Sequence, residues 1–379
     1  MDRSARDDQR ILLDASARFI ADVCPLRSVR EKVFDDPAHH ADYRSRVAEL
    51  GWFSMLVPER LGGGSVSGNG VLDAALIAYK RGAGLQPGAF VPTNVVAYAL
   101  ADSGNEDQQT KILPRLVAGE DSAAWVVGAP AVHRADGGVR AVAVGDGYQL
   151  RGSATFVQDA ASTSWLLVTA ESESGLSQFL VAPDEPGVST TPLDGLDLTR
   201  KFAEVRFDEA LVSAAAVVGQ AGQAADLVDR QLAIACVLTA AETVGAMDRD
   251  FETALQYAKD RIAFGRPIGS FQAVKHLLAD TSLLLEMSKA TVLAAAESLN
   301  TSGDDGSAYG YGLEAASMAK ALVGDSGIEL AQNCFQVFGG IGFTWEHDQH
   351  LYLRRITTDA ALFGDSTWHR ERLCQLSGL

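Results

Sequence analysis

Basic residues are scarce: 32 lysines and arginines face 49 aspartates and glutamates, a formal charge of -17 over 379 residues. A broad nucleic-acid or anionic-membrane surface needs a basic excess to displace counterions, so neither is expected as a partner, although a local basic pocket for a phosphate stays open. No apolar stretch approaches about 18 residues, the length needed to cross a bilayer. The charged opening Met1-Asp2-Arg3-Ser4-Ala5-Arg6-Asp7 has no apolar signal core behind it, so a cytoplasmic protein is expected. Cysteine is sparse too. Cys24, Cys236, Cys334 and Cys374 are scattered, with no Cys-x-x-Cys pair, and read as reduced thiols. His347 and His350 are surrounded by acids and aromatics with no second cluster, so a structural role is expected for them and no metal site.

What is present is an ordinary globular composition, 47% hydrophobic and 21% charged, in a chain long enough for two or three packed units. Up to about residue 120 the pattern is helical, with Ile11, Leu12, Ala15, Phe19 and Ile20 at helical spacings and further helices at Asp42 to Leu50, Val71 to Arg81 and Pro92 to Asp102. Between them Leu56-Val57-Pro58-Glu59-Arg60-Leu61-Gly62-Gly63-Gly64 must break the helix. Near Ala123 the period becomes alternating, and Tyr148 to Gly152, Ser164 to Ala170, Gln178 to Ala182 and Phe202 to Phe207 read as strands of a small β-barrel or sandwich. After Gly219 an apolar stripe from Leu227 to Ile262 predicts one helix of roughly 40 residues, about 60 Å, the length that traverses a helix bundle. Helices near Ala273 to Asn300 and Tyr311 to Val337 supply its partners, joined by a polar connection at 301–307. The expected domains are residues 1–121, 122–219 and 220–379.

Two segments carry chemistry. Arg261-Ile262-Ala263-Phe264-Gly265, followed by Phe271-Gln272, sits at the predicted end of the long helix, where Arg261 and Phe264, three apart, are expected to share a face. An arginine there suits a pyrophosphate, because its planar fork donates paired charged hydrogen bonds. Some seventy residues later comes Gln336-Val337-Phe338-Gly339-Gly340-Ile341-Gly342-Phe343, whose glycines let backbone approach a nucleotide without a Cβ. Taken singly, Arg261 reads equally well as a solvated helix-end charge and Gly339-Gly340 as a turn.

Taken in order and at these separations, with Pro58-Glu59 and the β-region upstream, these segments resemble the acyl-CoA dehydrogenase family over the whole chain. The resemblance implies an α+β fold: an N-terminal helical domain, a middle β-domain and a C-terminal four-helix bundle. It also implies FAD. Arg261, Phe264 and Gln272 would contact the FAD of a neighbouring subunit, and Gln336, Gly339 and Gly340 would lie near its adenosine portion. The family completes that site across a subunit interface, which implies a homo- or hetero-tetramer. At the flavin-ring end, Val127 to Gly137 keeps only fragments of the family's pattern. In Gly152-Ser153-Ala154-Thr155-Phe156-Val157-Gln158-Asp159, Phe156 keeps the aromatic beside the flavin, and Gln158 replaces a small hydroxyl residue.

The family removes an α-proton from an acyl-CoA thioester with a carboxylate while hydride passes to the flavin, and electron-transferring flavoprotein is the acceptor the resemblance implies. Here Phe363, in Leu362-Phe363-Gly364-Asp365, stands where many members carry that glutamate, and Ala235 stands at the alternative address on the long helix, followed by Cys236. Asp365, Asp229 and Glu242 are nearby acids, each better explained as a cap, a surface charge or a salt bridge, and no residue is nominated as catalytic. The segment Gly339 to Arg354 resembles an actinobacterial branch that includes two-gene heterotetramers for steroid side chains. Two functions therefore stay open: an α,β-dehydrogenase of acyl-CoA in lipid or steroid catabolism, or a non-catalytic partner subunit that completes another chain's FAD site.

Overall fold

The computed structural model describes residue 1 and residues 6–31, 41–128, 138–299 and 307–378. The polar connection at 301–307, apart from residue 307, and most of the 127–137 motif therefore lie outside the described residues. The helical periodicity of the first third becomes α1 (Asp7–Val23), α2 (Leu26–Glu31), α3 (Ala41–Glu49), α4 (Gly70–Ala83), α5 (Phe90–Ser103) and α6 (Leu113–Val117). The Pro58 to Gly64 segment interrupts them as expected: a single 3-10 turn, Glu59–Leu61, ends at Gly62 with φ 83°, a left-handed conformation that suits glycine. Asn69 opens α4 by accepting a hydrogen bond from the Leu72 amide at 3.1 Å, satisfying a donor that has no partner within the helix.

The alternating region forms β1 (Ala123–Val126), β2 (Val139–Val144), β3 (Gly147–Gln158), β4 (Trp165–Ser172), β5 (Gly175–Val181), β6 (Val188–Leu193), β7 (Phe202–Ser213) and β8 (Val217–Val218). They make one eight-stranded sheet in the order β6-β7-β3-β2-β4-β5-β8, with β1 parallel to β4. The strand predicted over Tyr148 to Gly152 runs on to Gln158, because register shifts against β7 at Leu150/Gly152 and Ala154/Val157 let it bend without ending. The second bulge holds Phe156 at φ 57° and points it out of the ladder, 58% exposed.

The predicted long helix is α7 (Ala225–Asp260), 36 residues and about 54 Å at 1.5 Å per residue. It packs with α8 (Gln272–Ser298) and α9 (Ser307–Phe338), and two shorter helices, α10 (Gln349–Ala361) and α11 (Ser366–Leu376), lie against α9. Among the described residues the C-terminal unit is thus five helices, three of them long. The N- and C-terminal helices share one apolar core that includes Trp52, Ile77, Val96, Leu238, Val244 and Leu330, and the sheet has a second core around Leu150, Val168, Phe179 and Val205. The thiols of Cys24, Cys236 and Cys334 are buried, and that of Cys374 is exposed. Among the described residues no helix is long and apolar enough to cross a membrane, and no cluster of three metal-ligating side chains occurs.

Candidate functional site

A cavity of about 380 Å³ opens between the bulged end of β3 and the turn after α10. Trp125, Val127 and Gly128 come from β1 and the residues after it, and Thr155, Phe156, Val157 and Gln158 from β3. Thr357, Thr358, Ala361, Leu362, Phe363 and Gly364 form the opposite wall. Phe363 has φ 59°, a left-handed conformation costly for a residue with a Cβ, and its ring stacks on Trp125 with centroids 6.0 Å apart and planes 24° from parallel. Gln158 is 7% exposed; its Nε2 donates to the Gly88 carbonyl at 3.3 Å, while its Oε1 has no partner among the described residues. None of the described side chains lining the cavity is ionisable.

The two positions at which the family resemblance implies a base converge. The Cys236 thiol lies 3.9 Å from the Phe363 carbonyl and 3.6 Å from His369 Nε2, with Ala235 beside it on α7. Burial pushes the Cys236 thiol up to about 11, so it stays protonated. Burial, reinforced by the Lys320 charge, holds His369 down to about 3, a neutral imidazole.

Each substitute acid is committed elsewhere. Asp365 accepts from the Trp368 amide at 2.8 Å as the N-cap of α11. Asp229 pairs with Arg372 at 2.8 Å. Glu242 is clamped between Arg81, at 3.1 Å, and Arg200; burial works to raise its carboxyl, but these arginines win and hold it below the usual range. Asp359, one residue beyond the cavity-lining Thr358, is the odd member of this buried cluster. Burial raises it to about 7 despite Arg200 at 3.1 Å, and the Thr243 hydroxyl donates to it at 3.3 Å.

The second set of sequence candidates is a separate cluster at the far ends of α7 and α9, which the Tyr257 and Phe338 rings bring together at 5.1 Å. Here the structure corrects one expectation: Arg261 and Phe264 do not share a helix face. The helix stops at Asp260, and β9 (Ile262–Ala263) pairs with β10 (Arg266–Pro267) around a Phe264-Gly265 turn with φ 52° and 75°. Two left-handed residues in succession make a tight hairpin, which leaves Phe264 96% exposed. Arg261 is exposed and makes no ion pair among the described residues, and Gln272 begins α8. Gln336 lies on the exposed side of α9, and a Cβ at Gly339 or Gly340 would meet nothing within 4 Å, so the backbone there faces open space. Phe156 and Gln158 belong to the cavity, and these six residues do not join them within one chain.

Sequence reasoning missed Trp125, Lys320, Arg200 and Asp359. A signal existed for Lys320: it occupies the buried stripe of α9 with Ala316 and Val323, at spacings of four and three, where a lysine has no reason to sit unless its ammonium is engaged. Arg200 and Asp359 come from separate parts of the chain, and no local pattern pairs them.

Comparison with known proteins places this geometry among others. Residues 6–120 match the family described as acyl-CoA dehydrogenase, N-terminal domain, and residues 213–375 match acyl-CoA dehydrogenase, C-terminal domain. The chain is 32% identical over 327 residues to acyl-CoA dehydrogenase FadE34 of Mycobacterium tuberculosis, covering 84% of this chain but only 40% of that protein. It is 29% identical to acyl-CoA dehydrogenase IpdE2 of the same organism, covering 94% and 93% of the two chains. Among solved structures it resembles the ChsE4-ChsE5 complex of M. tuberculosis, with TM-score 0.87, 26% identity and coverage of 100% and 99%.

Proposed function

The chain belongs to the acyl-CoA dehydrogenase family, and from that premise we propose that it serves the FAD-dependent α,β-dehydrogenation of an acyl-CoA thioester in lipid or steroid catabolism. The observation that carries this is the apolar cavity between Phe156 and Gln158 on one side and the Phe363 turn on the other. The residues present fit FAD. The unpartnered Gln158 Oε1 is a buried acceptor awaiting a donor, and Arg261 with the open backbone at Gly339-Gly340 can receive a pyrophosphate and an adenosine. By family geometry, Arg261, Phe264, Gln272, Gln336, Gly339 and Gly340 would serve the FAD of a neighbouring subunit, and Phe156 and Gln158 the ring held by their own. FAD, when bound, supplies the electron sink for hydride leaving the β-carbon. The chain's own part is to exclude water with Trp125, Phe156 and Phe363 and to offer the backbone N–H groups of Phe363 and Gly364 to a thioester carbonyl.

A second reading has its own observation. With Phe363 and Ala235 in the base positions and no ionisable side chain lining the described cavity, this chain has no evident group to take the α-proton. We infer as this second reading the partner subunit of a hetero-oligomer, donating its Arg261 and Gly339 region to an active chain; its likeness to the ChsE4-ChsE5 complex accords with this. Electron-transferring flavoprotein as acceptor and a cytoplasmic location complete the proposal.

The deciding measurement is the ratio of FAD to polypeptide in the chain purified alone. A ratio near one supports a full site and directs attention to an unconventional base. A ratio near zero in a folded oligomer supports the partner role. Flavin bound at full ratio with no acyl-CoA binding would overturn the dehydrogenase assignment.

A further inference from the structure

Behind the cavity wall, the turn that carries Phe363 is gripped by side chains from two other helices. Lys320 of α9 is 2% exposed, and its Nζ donates to the Ala360 carbonyl at 2.9 Å and the Gly364 carbonyl at 3.0 Å. Among the described residues it makes no ion pair, so this buried ammonium is engaged with backbone rather than with a carboxylate. His369 of α11, 1% exposed, places Nε2 3.2 Å from the Phe363 carbonyl. A carbonyl only accepts, so the imidazole carries its proton on Nε2, which leaves Nδ1 as the bare, buried acceptor. The fit is tight: a Cβ on Gly364, whose φ is 104°, would stand 2.5 Å from the Trp368 ring and 3.1 Å from His369 Nε2.

We propose that Lys320 and His369 are positioning residues: by holding the carbonyls of Ala360, Phe363 and Gly364 from the buried side, they fix which face the turn presents to the cavity. In a trans peptide unit the N–H points opposite to the C=O. With the Phe363 carbonyl held toward His369, the next amide N–H, that of Gly364, is directed away from the core, and Gly364 lines the cavity. A fixed N–H beside an apolar, water-excluding wall is a donor suited to a thioester carbonyl oxygen. The clamp also holds Phe363 in its left-handed conformation against Trp125, which an unrestrained turn would relax. This rests on the acyl-thioester assignment for its ligand, but not for the clamp itself.

The test uses the full-length, FAD-loaded protein as wild type, Lys320→Met, Lys320→Arg and His369→Leu, and follows amide hydrogen exchange in a peptide spanning 358–368 against one spanning 227–240. Lys320→Met should speed exchange at 358–368 by about tenfold and leave 227–240 within about twofold, with Lys320→Arg restoring most of the protection. Octanoyl-CoA is the probe for the second arm, and its affinity should fall by about tenfold in Lys320→Met and recover in Lys320→Arg. Unchanged exchange at 358–368 in both Lys320→Met and His369→Leu would overturn the clamp, whatever the probe does. Faster exchange with undiminished octanoyl-CoA affinity would reduce the pair to a structural role and overturn the positioning claim. A wild type that binds no octanoyl-CoA counts against the thioester assignment and the positioning role together, while the exchange arm still decides the clamp. Should Lys320→Met not fold, Lys320→Gln, which keeps a donor but loses the charge, takes its place with the same outcomes.

Discussion

Phe363 concentrates what one residue can decide. Its identity, together with Ala235, is what the sequence offers for the proposed lack of a base; its left-handed backbone and its stack on Trp125 were not visible, because they depend on a strand more than 230 residues away in the chain. Glutamate at 363 would lose the aromatic stack and sit among Trp125, Leu362 and Phe202, so Phe363→Glu is expected to cost about 1–3 kcal/mol of stability. The same apolar walls would raise the new carboxyl toward neutral pH, the range in which a general base works. The FAD-loaded variant should therefore exchange the α-proton of an acyl-CoA into deuterated water faster than the wild type. No gain in exchange from a folded, flavin-bearing variant would mean that more than the base has been lost. Gly364→Ala is expected to destabilise by about 2 kcal/mol or more in thermal melting, since the added methyl meets the Trp368 ring and strains the backbone at φ 104°.

At the scale of elements, the pattern of apolar residues located most helices and the main strands, since burial of one face imposes a period that the order of residues displays. The long helix was legible in this way. Less legible was how closely it approaches its neighbour. A Cβ on Gly245 of α7 would lie 1.9 Å from the Tyr79 carbonyl oxygen of α4, and one on Gly82 of α4 would lie 1.8 Å from the Glu242 carbonyl oxygen of α7. The two helices therefore touch backbone to backbone, and each glycine reads locally as only a weak helix former. Gly245→Ala must push the helices apart, with an expected loss of about 3 kcal/mol or more in denaturant unfolding; a loss of less than about 1 kcal/mol would show that the crossing is loose. The hairpin at the end of α7 was misread for a related reason: Arg261 and Phe264 keep helical spacing in sequence, but the Phe264-Gly265 turn has already reversed the chain. Arg261 still stands exposed at that end, and Arg261→Ala should lower FAD retained per polypeptide after gel filtration without changing the melting temperature. Unchanged retention would remove the pyrophosphate assignment.

At the scale of the whole molecule, one buried ionic cluster ties the three parts of the chain together. Arg81 comes from the N-terminal helices, Asp197 and Arg200 from the loop between β6 and β7, and Glu242, Arg355 and Asp359 from α7 and α10. Arg355 donates to Asp197 at 2.6 Å, and Arg200 joins Glu242 to Asp359. Burial works to raise every carboxyl here. Arg355 and Arg200 nevertheless hold Asp197 below its usual range, as Arg200 and Arg81 do Glu242, while Asp359 alone ends high, at about 7. Between the unfolded value of 3.8 and about 7, the folded protein thus binds the Asp359 proton more tightly than the unfolded chain does, so this group lowers stability as pH rises through that window. His369 acts in the opposite direction: its folded value of about 3 lies below 6.5, the unfolded chain binds that proton more tightly, and stability rises with pH between the two. The two slopes oppose each other across about pH 4 to 6.5, each at most about 1.4 kcal/mol per pH unit. Subtracting the wild type isolates each term from other shifted groups such as Asp250, His347 and His350. Asp359→Asn minus wild type should rise with pH from 4 to 7, and His369→Leu minus wild type should fall from 4 to 6.5, in urea unfolding at a series of pH values. A flat difference for Asp359→Asn would mean that the cluster holds Asp359 ionised throughout, and that Arg200 and Arg355 overcome its burial as they do for Asp197.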